Sequence, residues 1–254
     1  MHAVTLTGVS KSFGSVRAVK GLSLTVQEGE VRGLLGPNGS GKSTTMKMIM
    51  GIIKPDSGSI TVRGIDVVER PVEAKMMVGY VPEAPQLYEY LTVAEYLDFV
   101  ATAYGVGASE RRQRATELLA ALQMEEHVNE MMSGFSQGMK QKVAITAALL
   151  HRPKVLVLDE PLNGLDPRSA RIVKELLHRL AKEGASVLFS THVLEIAEAI
   201  CHRITIMHEG AVLAEGTMQE LRAKAGMPGS SLEDAFLKLT GSGDIMKVVE
   251  ALRL

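Results

Sequence analysis

The chain has 254 residues, enough to bury a substantial core, and its 28 basic and 29 acidic side chains leave a formal net charge of −1. This balance gives no electrostatic reason for a nucleic-acid partner, so we expect none. The single cysteine, Cys201, makes no intramolecular disulfide, and no apolar run approaches the ~20 residues of a membrane-spanning helix, so we expect a cytoplasmic chain that forms no pore by itself.

The first part of the chain predicts an antiparallel β layer. Short alternating stretches at residues 4–8 and 22–26 indicate strands, and glycines between them favour turns. The next strand, Val31 to Leu35, runs directly into a glycine-rich peptide and a helix-forming stretch from Thr44 to Met50. A strand, a glycine-rich loop and a helix in this order are typical of a nucleotide-binding unit.

The glycine-rich peptide, GPNGSGKS at residues 36–43, matches the phosphate-loop pattern G-x-x-x-x-G-K-[ST] at every defined position. Its backbone amides and the following helix N-terminus suit phosphate oxygens. We therefore expect Lys42 to contact the β- and γ-phosphates of ATP and the Ser43 hydroxyl to hold Mg²⁺. The residues expected to bind ATP through this loop are Asn38, Gly39, Ser40, Gly41, Lys42, Ser43 and Thr44. A glycine-rich turn without a ligand is the alternative.

Residues from about 85 to 151 carry helix signals and few strand-like runs, and we interpret them as an inserted helical subdomain. Thr92 and Glu95 fit a capping box, in which the hydroxyl and the carboxylate satisfy amides at a helix start. An amphipathic helix is predicted from Ser109 to Leu122, and a further helical stretch ends at Leu150.

Strand signals return at Val155 to Leu158 and at Ser186 to Ser190, with a helical stretch between them, which is the β-α-β order of a parallel sheet. Asp159 and Glu160 follow the first of these strands. Buried strand ends are costly places for charge, so two adjacent carboxylates there indicate a cation or a reaction. We expect Asp159 to hold Mg²⁺ and Glu160 to activate or orient the water that attacks the γ-phosphate. A solvated sheet edge is the alternative.

His192 follows the second strand. Because a parallel sheet brings the carboxyl ends of its strands together, we expect His192 near the same edge as Asp159. A purely structural histidine is the alternative.

The end of the chain carries further local signals. A hairpin is predicted around Glu209 and Gly210, followed by a capping box at Thr217 to Glu220. Two short amphipathic helices are predicted after Ser231.

Residues 135–141, FSQGMKQ, resemble the LSGGQ signature peptide of the ATP-binding cassette (ABC) ATPases. Ser136 and Gly138 match the signature, whereas Gln137 replaces its first glycine and Met139 its glutamine. The phosphate loop, this peptide, the acidic strand, the turn at residues 162–166 and His192 occur in the order that the family shows. The resemblance covers about residues 3–224.

The resemblance implies an α/β fold with a P-loop NTPase (RecA-like) core, an N-terminal antiparallel β layer and an inserted α-helical subdomain. It assigns about residues 1–84 and 152–224 to the core and about residues 85–151 to the subdomain. Residues 1–224 then form the ABC ATPase domain, and residues 225–254 a C-terminal helical extension. It also implies a Mg²⁺-dependent ATPase whose catalytic residues are Lys42, Glu160 and His192.

Two cassettes of this family face each other head to tail, so the resemblance implies a second ATP-binding subunit, identical or a paralogue. Ser136, Gln137 and Gly138 then act in trans on the ATP that the facing chain binds. The residues are compatible with this arrangement, because a helix that begins at Ser136 presents free amides to a γ-phosphate. Ser136 as an N-cap only is the alternative.

Further site residues come from the same resemblance. Phe13, with Val19 nearby, lies where an aromatic ring stacks on adenine, and core packing is the alternative for Phe13. Asp166 lies at the dimer interface, or else is a solvated turn residue. Glu83 stands where the family has a glutamine that contacts Mg²⁺ or the attacking water and faces the membrane partner, and a carboxylate there raises the dependence on Mg²⁺.

Glu83, the altered signature and the peptide at residues 231–237 resemble the exporter branch that handles drugs, lipids or polysaccharides. The predicted function is an ATP-binding and hydrolysing subunit that dimerises on ATP and drives a separate membrane-spanning permease, for export. We expect it to be peripheral on the cytoplasmic face of the cell membrane. A soluble ABC ATPase acting on ribosomes or DNA is the alternative, although such proteins carry two cassettes or a long coiled coil. Glu83 disfavours an importer ATPase, and a metabolic P-loop kinase explains neither the signature peptide nor His192.

Overall fold

The structure, a computed structural model, describes residues 2–241. This part of the chain forms ten β-strands and nine α-helices. The strands are β1 His2–Phe13, β2 Val16–Gln27, β3 Val31–Leu35, β4 Ser57–Val62, β5 Ile65–Asp66, β6 Val78–Val81, β7 Val155–Asp159, β8 Ser186–Thr191, β9 Arg203–His208 and β10 Ala211–Gly216. The helices are α1 Lys42–Ile49, α2 Pro71–Met76, α3 Val93–Ala103, α4 Ala108–Ala121, α5 Gln137–Leu149, α6 Pro167–Lys182, α7 Leu194–Ile200, α8 Met218–Lys224 and α9 Leu232–Leu239.

The smaller sheet has four strands in the order β2, β1, β4, β5, and each neighbouring pair is antiparallel. The predicted N-terminal antiparallel layer is therefore confirmed, although β1 and β2 are longer than the alternating stretches indicate. The sequence pattern does not predict β4, because Ser57, Gly58 and Ser59 are exposed and give it no apolar alternation before Ile60. Pairing with β1 supplies the strand conformation that the local sequence does not favour.

The larger sheet has six strands in the order β10, β9, β3, β8, β7, β6. All are parallel except β10, which is antiparallel to β9. This arrangement confirms the predicted β-α-β order of β7, α6 and β8. Every side chain of β3, β7 and β8 is buried, as central parallel strands covered on both faces require. The carboxyl ends of β3, β8, β7 and β6 meet at one edge of this sheet.

Two layers of core hold the larger sheet between the smaller sheet and the helices. Val155 and Val157 of β7 pack with Met46 of α1 and with the apolar face of the smaller sheet. Leu156 and Leu158, which point to the other face, pack with helices α3 to α6. The alternation of β7 thus fixes both layers around the strand that carries the acidic pair.

The chain between β6 and β7 forms α3, α4, α5 and the short 3₁₀ helices Glu125–His127 and Met132–Gly134. The capping box predicted at α3 is confirmed, since Glu95 N–H donates to Thr92 Oγ1 at 3.2 Å and Thr92 N–H donates to the Glu95 carboxylate at 2.8 Å. The helices occupy the region predicted for the insertion. Its limits, about residues 85–151, stay a prediction.

The last described elements follow the sequence prediction closely. The hairpin of β9 and β10 turns at Glu209 and Gly210, which both have positive φ, 47° and 82°. The capping box of Thr217 and Glu220 is present at the start of α8. Of the two helices predicted after Ser231, α9 packs with residues of α7 and α8, and the second lies outside the described residues. No helix between residues 2 and 241 is long and apolar enough to cross a membrane.

Candidate functional site

A cavity of about 790 Å³ opens at the carboxyl edge of the larger sheet. Its size suits a nucleotide-sized ligand. The residues that line it are Ser15, Val16, Arg17, Ala18, Lys20, Asn38, Gly39, Ser40, Gly41, Lys42, Ser43, Thr44, Glu83, Asp159, Glu160 and Glu209. The cavity therefore brings together every residue predicted from the phosphate loop and the three predicted carboxylates.

The phosphate loop turns sharply between β3 and α1. Gly41 has a φ of 101°, and a Cβ there would lie 2.4 Å from the carbonyl oxygen of Ala18. Only glycine lets the loop approach β2 this closely. Helix α1 begins immediately afterwards at Lys42, and its first turn lines the cavity. Free amides at a helix N-terminus attract phosphate groups, so the loop is shaped for an anionic ligand.

The Lys42 side chain lies on the inner surface of the loop. Its Nζ donates to the carbonyl oxygens of Gly36 at 2.7 Å and Pro37 at 3.1 Å. The nearby Ser40 Oγ is buried and has no hydrogen-bond partner in the described part of the chain. A buried polar atom without a partner costs free energy, which a phosphate oxygen offsets by accepting its hydrogen bond. The loop therefore presents a cation and an unused donor to the same ligand.

The acidic pair lies at the end of β7, where Asp159 and Glu160 are only 1% and 7% exposed. Ser190 of β8 lies beside Asp159 in the sheet, and its hydroxyl donates to Asp159 Oδ1 at 2.5 Å. The backbone N–H of Glu160 donates to the same Ser190 Oγ at 3.0 Å. Glu160 also has a positive φ of 49°, unusual for a residue with a side chain. The pair is therefore held in one defined turn.

His192 follows β8 and reaches the same edge of the sheet, as predicted. Its Nδ1 lies 3.0 Å from Oε1 of Glu160, and 56% of the histidine side chain is exposed. The ring therefore touches a buried carboxylate on one side and faces solvent on the other. The structure thus brings His192 to the acidic pair, and its catalytic role stays a prediction.

Three carboxylates of the cavity, Glu83, Asp159 and Glu160, lie close enough to Lys42 to act on its charge. Burial lowers the pKa of the Lys42 ammonium, and the carboxylates of Glu160, Asp159 and Glu83 oppose this shift. A triphosphate placed beside three carboxylates needs a cation to offset the repulsion. No group of three or more His, Cys, Asp or Glu side chains within residues 2–241 is placed to hold a metal by itself. Ser43 and Asp159 both line this cavity, and their predicted role as ligands of Mg²⁺ stays a prediction.

The structure separates the two predicted adenine contacts. Phe13, at the end of β1, is 49% exposed, which excludes core packing. It pairs in the sheet with Val16, which lines the cavity. Val19 is fully buried in the core and does not line the cavity, and its contact with adenine stays a prediction. Strand alternation turns Val19 to the opposite face from Ala18 and Lys20, the neighbours that line the cavity.

The predicted signature peptide lies at the N-terminus of α5. Ser136 is the N-cap, and its hydroxyl accepts a hydrogen bond from Met139 N–H at 3.3 Å. Ser136 and Gln137 are exposed, and neither they nor Gly138 line the cavity that holds Lys42. The start of α5 is thus open to solvent outside the phosphate site of its own chain. The N-cap role does not exclude a role in trans, which stays a prediction.

The turn that follows Glu160 packs tightly on α5. Gln141, 1% exposed, donates from Nε2 to the carbonyl oxygen of Pro161 at 3.1 Å. A Cβ on Gly138 would lie 2.4 Å from the carbonyl oxygen of Gly164. The helix that begins with the signature peptide is therefore joined directly to the segment after the acidic pair.

Asp166 is the N-cap of α6 and not merely a solvated turn residue. Its carboxylate accepts hydrogen bonds from the N–H of Ser169 at 2.9 Å and from the Ser169 hydroxyl at 2.5 Å. These bonds lower the pKa of Asp166 to about 2, with a smaller contribution from Lys142 of α5, whose Nζ lies 3.5 Å away. The predicted interface role of Asp166 is a separate matter and stays a prediction.

Replacing Gly138 with alanine is expected to lower the free energy of unfolding by about 1–3 kcal/mol, because the added Cβ collides with the Gly164 carbonyl. Gly134→Ala is the matched control, since a Cβ at Gly134 meets nothing within 4 Å. Urea unfolding followed by circular dichroism measures both variants. Equal unfolding midpoints would show that the turn yields freely and that close packing does not hold α5 in place.

Several residues of the site carry no local sequence signal. Ser190 is one of three hydroxyl-bearing residues of β8, with Ser186 and Thr191, and only its alignment beside Asp159 distinguishes it from the other two. Gln141 lies within a helix, and its role follows from the packing of α5 on Pro161. The residues of β2 that line the cavity come from the smaller sheet, whose position over the phosphate loop is a tertiary feature.

Comparison with known proteins identifies similar sequences. A family model described as "ABC transporter" matches residues 19–163. The ABC-type transporter ATP-binding protein EcsA of Bacillus subtilis is 41% identical over 240 residues, which cover 94% of this chain and 97% of EcsA. The Nod factor export ATP-binding protein I of Paraburkholderia xenovorans is 38% identical over 221 residues, covering 87% of this chain and 73% of that protein.

Solved structures show the same architecture. An ATP-binding subunit of an ABC transporter superposes with a TM-score of 0.90 at 36% identity, covering 94% of this chain and 99% of that one. A dimeric ATP-binding cassette in a post-hydrolysis state with ADP and Pi gives a TM-score of 0.78 at 29% identity, covering 85% of this chain and 98% of that one. These likenesses confirm the predicted P-loop NTPase fold.

Proposed function

Because the chain belongs to the ABC transporter family as an ATP-binding and ATP-hydrolysing subunit, we propose that it is one of two cassettes that close on ATP and drive a separate membrane-spanning permease. The proposed direction is export, which the name of the Nod factor export relative supports. The observation that carries the proposal is the meeting of the phosphate loop, the acidic pair and His192 at one sheet edge, with His192 and Glu160 3.0 Å apart.

Each residue at this edge has a role in the proposed reaction. The loop amides and Lys42 hold the phosphates of ATP, and Phe13 covers the adenine ring. Ser43 and Asp159 hold Mg²⁺, which offsets phosphate charge and polarises the γ-phosphoryl group. The carboxylate of Glu160 orients the attacking water and accepts its proton.

Two neighbours of this set complete it. His192 holds the Glu160 carboxylate through its Nδ1 and presents the rest of its exposed ring to the γ-phosphate. Glu83 adds a third carboxylate beside the cation site. This extra negative charge makes turnover depend strongly on Mg²⁺.

The second cassette, identical or a paralogue, supplies Ser136, Gln137 and Gly138 to the γ-phosphate, and Asp166 lies at the interface between the two. The exposed start of α5, outside its own cavity, supports this arrangement. The dimeric cassette to which this chain is similar supports it as well.

An exposed aromatic patch on the helical region supports contact with a permease. The aromatic patch consists of Tyr88, Tyr90 and Phe99, which are 62%, 88% and 52% exposed. Tyr88 meets Phe99 edge to face, with ring centroids 5.5 Å apart. Large apolar side chains exposed together are costly on a free surface and typical of protein contacts. We place the permease on this patch, with the chain peripheral on the cytoplasmic face of the cell membrane.

The loop between β6 and α3 links the cavity to the aromatic patch. Glu83 at its start lines the cavity, and Glu89 near its end pairs with Lys140 of α5, at 2.6 Å between Nζ and Oε1. Closure of two cassettes on ATP displaces α5 relative to the cavity. Through this loop the displacement reaches the patch and therefore the permease.

Co-expression with the membrane protein encoded by the adjacent reading frame, for which we expect about six apolar spans, tests the proposed function. We expect the two proteins to co-purify and the complex to hydrolyse ATP in the presence of Mg²⁺. Absence of ATP turnover by the purified chain and its complex contradicts the proposal. Salt-dependent capture of nucleic acid in place of the membrane protein favours the soluble alternative.

A Tyr90→Ser, Phe99→Ser double variant is expected to bind the membrane partner about 30-fold or more weakly, because buried aromatic anchors contribute about 2 kcal/mol or more. ATP turnover by the free subunit is expected to stay unchanged, since neither side chain lines the cavity. Val72→Ser, at a 74% exposed apolar residue of α2, is the control. Pull-down titration measures the affinity of the unmodified chain, the double variant and the control for the membrane partner. Equal binding by the double variant and the control excludes the patch as the docking surface.

A further inference from the structure

We propose that Ser190 is a positioning residue for ATP hydrolysis, whose hydroxyl holds both carboxylates of the acidic pair in their working arrangement. The inference rests on the proposed function, because it gives Asp159 and Glu160 the roles described above. Ser190 itself touches neither the cavity nor the reacting atoms, since it is fully buried within β8.

The parallel pairing of β7 and β8 puts Ser190 directly beside Asp159. From there the hydroxyl oxygen of Ser190 makes hydrogen bonds to two consecutive residues, Asp159 and Glu160. Ser190 Oγ lies 2.5 Å from Asp159 Oδ1 and 3.0 Å from the backbone nitrogen of Glu160. No other side chain between residues 2 and 241 makes a hydrogen bond to both members of the pair.

The direction of both hydrogen bonds is fixed by chemistry. The backbone N–H of Glu160 donates, so Ser190 Oγ accepts from it, and the one hydroxyl proton of Ser190 then points to Asp159. Asp159 Oδ1 therefore acts as an acceptor within the protein. Its other oxygen, Oδ2, has no hydrogen bond to the described residues and is left for a cation. Asp159 Oδ1 is thus occupied by the hydrogen bond from Ser190, and Oδ2 remains free to bind Mg²⁺.

The same hydroxyl stabilises the unusual backbone of Glu160. A φ of 49° is unfavourable for a residue with a Cβ and persists only where its surroundings hold it. Ser190 accepts the N–H of Glu160, and Asn163 N–H donates to the Glu160 carbonyl at 3.1 Å. This turn directs the Glu160 side chain to His192. Loss of the hydroxyl leaves a buried N–H unsatisfied at the residue whose orientation matters most for attack.

A second buried serine of strand β8, Ser186, provides a matched control for Ser190. Ser186 is also fully buried, and its Oγ also accepts a hydrogen bond from a backbone N–H, that of Gly29 at 3.2 Å. It lies at the opposite end of the strand, beside Val155 and away from the acidic pair. Ser190→Ala and Ser186→Ala therefore each remove one buried accepting hydroxyl from the same strand, and only Ser190→Ala removes it beside the acidic pair.

The test compares Ser190→Ala, Ser190→Cys and Ser186→Ala in the full chain. We expect Ser190→Ala to lower kcat by about 10- to 100-fold and to raise the Mg²⁺ concentration for half-maximal turnover by a similar factor, as loss of a residue that orients metal ligands does. ATP affinity measured in EDTA stays within about twofold of the unmodified chain, because the phosphate loop is intact. Ser186→Ala keeps both kcat and the Mg²⁺ dependence.

Ser190→Cys separates hydrogen bonding from packing, because a thiol fills the space but donates weakly. We expect its kcat and Mg²⁺ dependence to resemble those of Ser190→Ala, even if its melting temperature is closer to that of the unmodified chain. An unmodified chain without ATP turnover overturns the proposed function itself. An active unmodified chain, with Ser190→Ala and Ser186→Ala equal in kcat and Mg²⁺ dependence, overturns only the role of Ser190. If Ser190→Ala does not fold, Ser190→Cys decides by the same two measurements.

Discussion

A Glu160→Gln variant is expected to lose ATP turnover by about 10²- to 10⁴-fold while it keeps its affinity for ATP. Glutamine preserves the size of the side chain and its contact with His192, but an amide does not accept a proton from the attacking water. The carboxylate is 7% exposed, so no solvent group replaces it readily. In the proposed cycle, ATP hydrolysis opens the closed dimer. A variant that does not hydrolyse ATP is therefore expected to accumulate as an ATP-bound dimer.

Phosphate release measures the turnover of the Glu160→Gln variant, and light scattering with and without ATP measures its mass. Glu195→Gln is the control, because it makes the same chemical change at an exposed residue of α7. Turnover by Glu160→Gln within about threefold of the control contradicts the role of Glu160 as base. Loss of ATP binding also contradicts it, since the side chain then acts in binding and not in the chemical step.

Local sequence patterns predict the elements whose conformation depends on their own residues. β3 is a continuous apolar run and is present with its predicted bounds. β7 and β8 extend their predicted runs by one residue each. The capping boxes at Thr92 and Thr217 are short-range hydrogen-bond patterns, and the structure has both of them. The phosphate loop and the acidic pair are found for the same reason, because their chemistry is concentrated in adjacent residues.

Local sequence patterns do not predict features that depend on strand pairing or packing between distant parts of the chain. β4 is a strand because β1 pairs with it, not because Ser57 to Ser59 favour one. The position of β2 in its sheet decides which face Val19 presents, so Val19 lies in the core although its neighbours Ala18 and Lys20 line the cavity. Ser190 gains its neighbours only from the alignment of β8 with β7. The sequence therefore predicts which residues line the cavity of the phosphate loop better than it predicts which residues pack behind them.

A Lys42→Ala variant is expected to bind ATP about 30- to 1,000-fold more weakly, because removing one partner of a buried charge pair costs about 2–4 kcal/mol. Lys42 is 7% exposed and lies in the first turn of α1 at the phosphate site. Lys47→Ala is the control, since Lys47 is an exposed lysine of the same helix. Calorimetric titration with ATP measures affinity, and melting temperature verifies that the loop survives the loss of the hydrogen bonds to Gly36 and Pro37. Affinities within about threefold of each other for the two variants contradict a phosphate contact by Lys42.

The pH dependence of ATP binding separates the charge of Lys42 from its packing. Burial lowers the pKa of this lysine below its ordinary value, so without ATP it loses its proton at a lower pH than an exposed lysine. Phosphates bind the charged form and raise the pKa again, so binding at alkaline pH takes up a proton. We therefore expect the affinity of the unmodified chain for ATP to fall as the pH rises into the alkaline range, and that of Lys42→Ala to fall less. Calorimetric titration with ATP in two buffers of different ionisation enthalpy detects the proton that is taken up on binding. If the affinity for ATP falls equally with pH in the unmodified chain and in Lys42→Ala, the proton binds to a group other than Lys42.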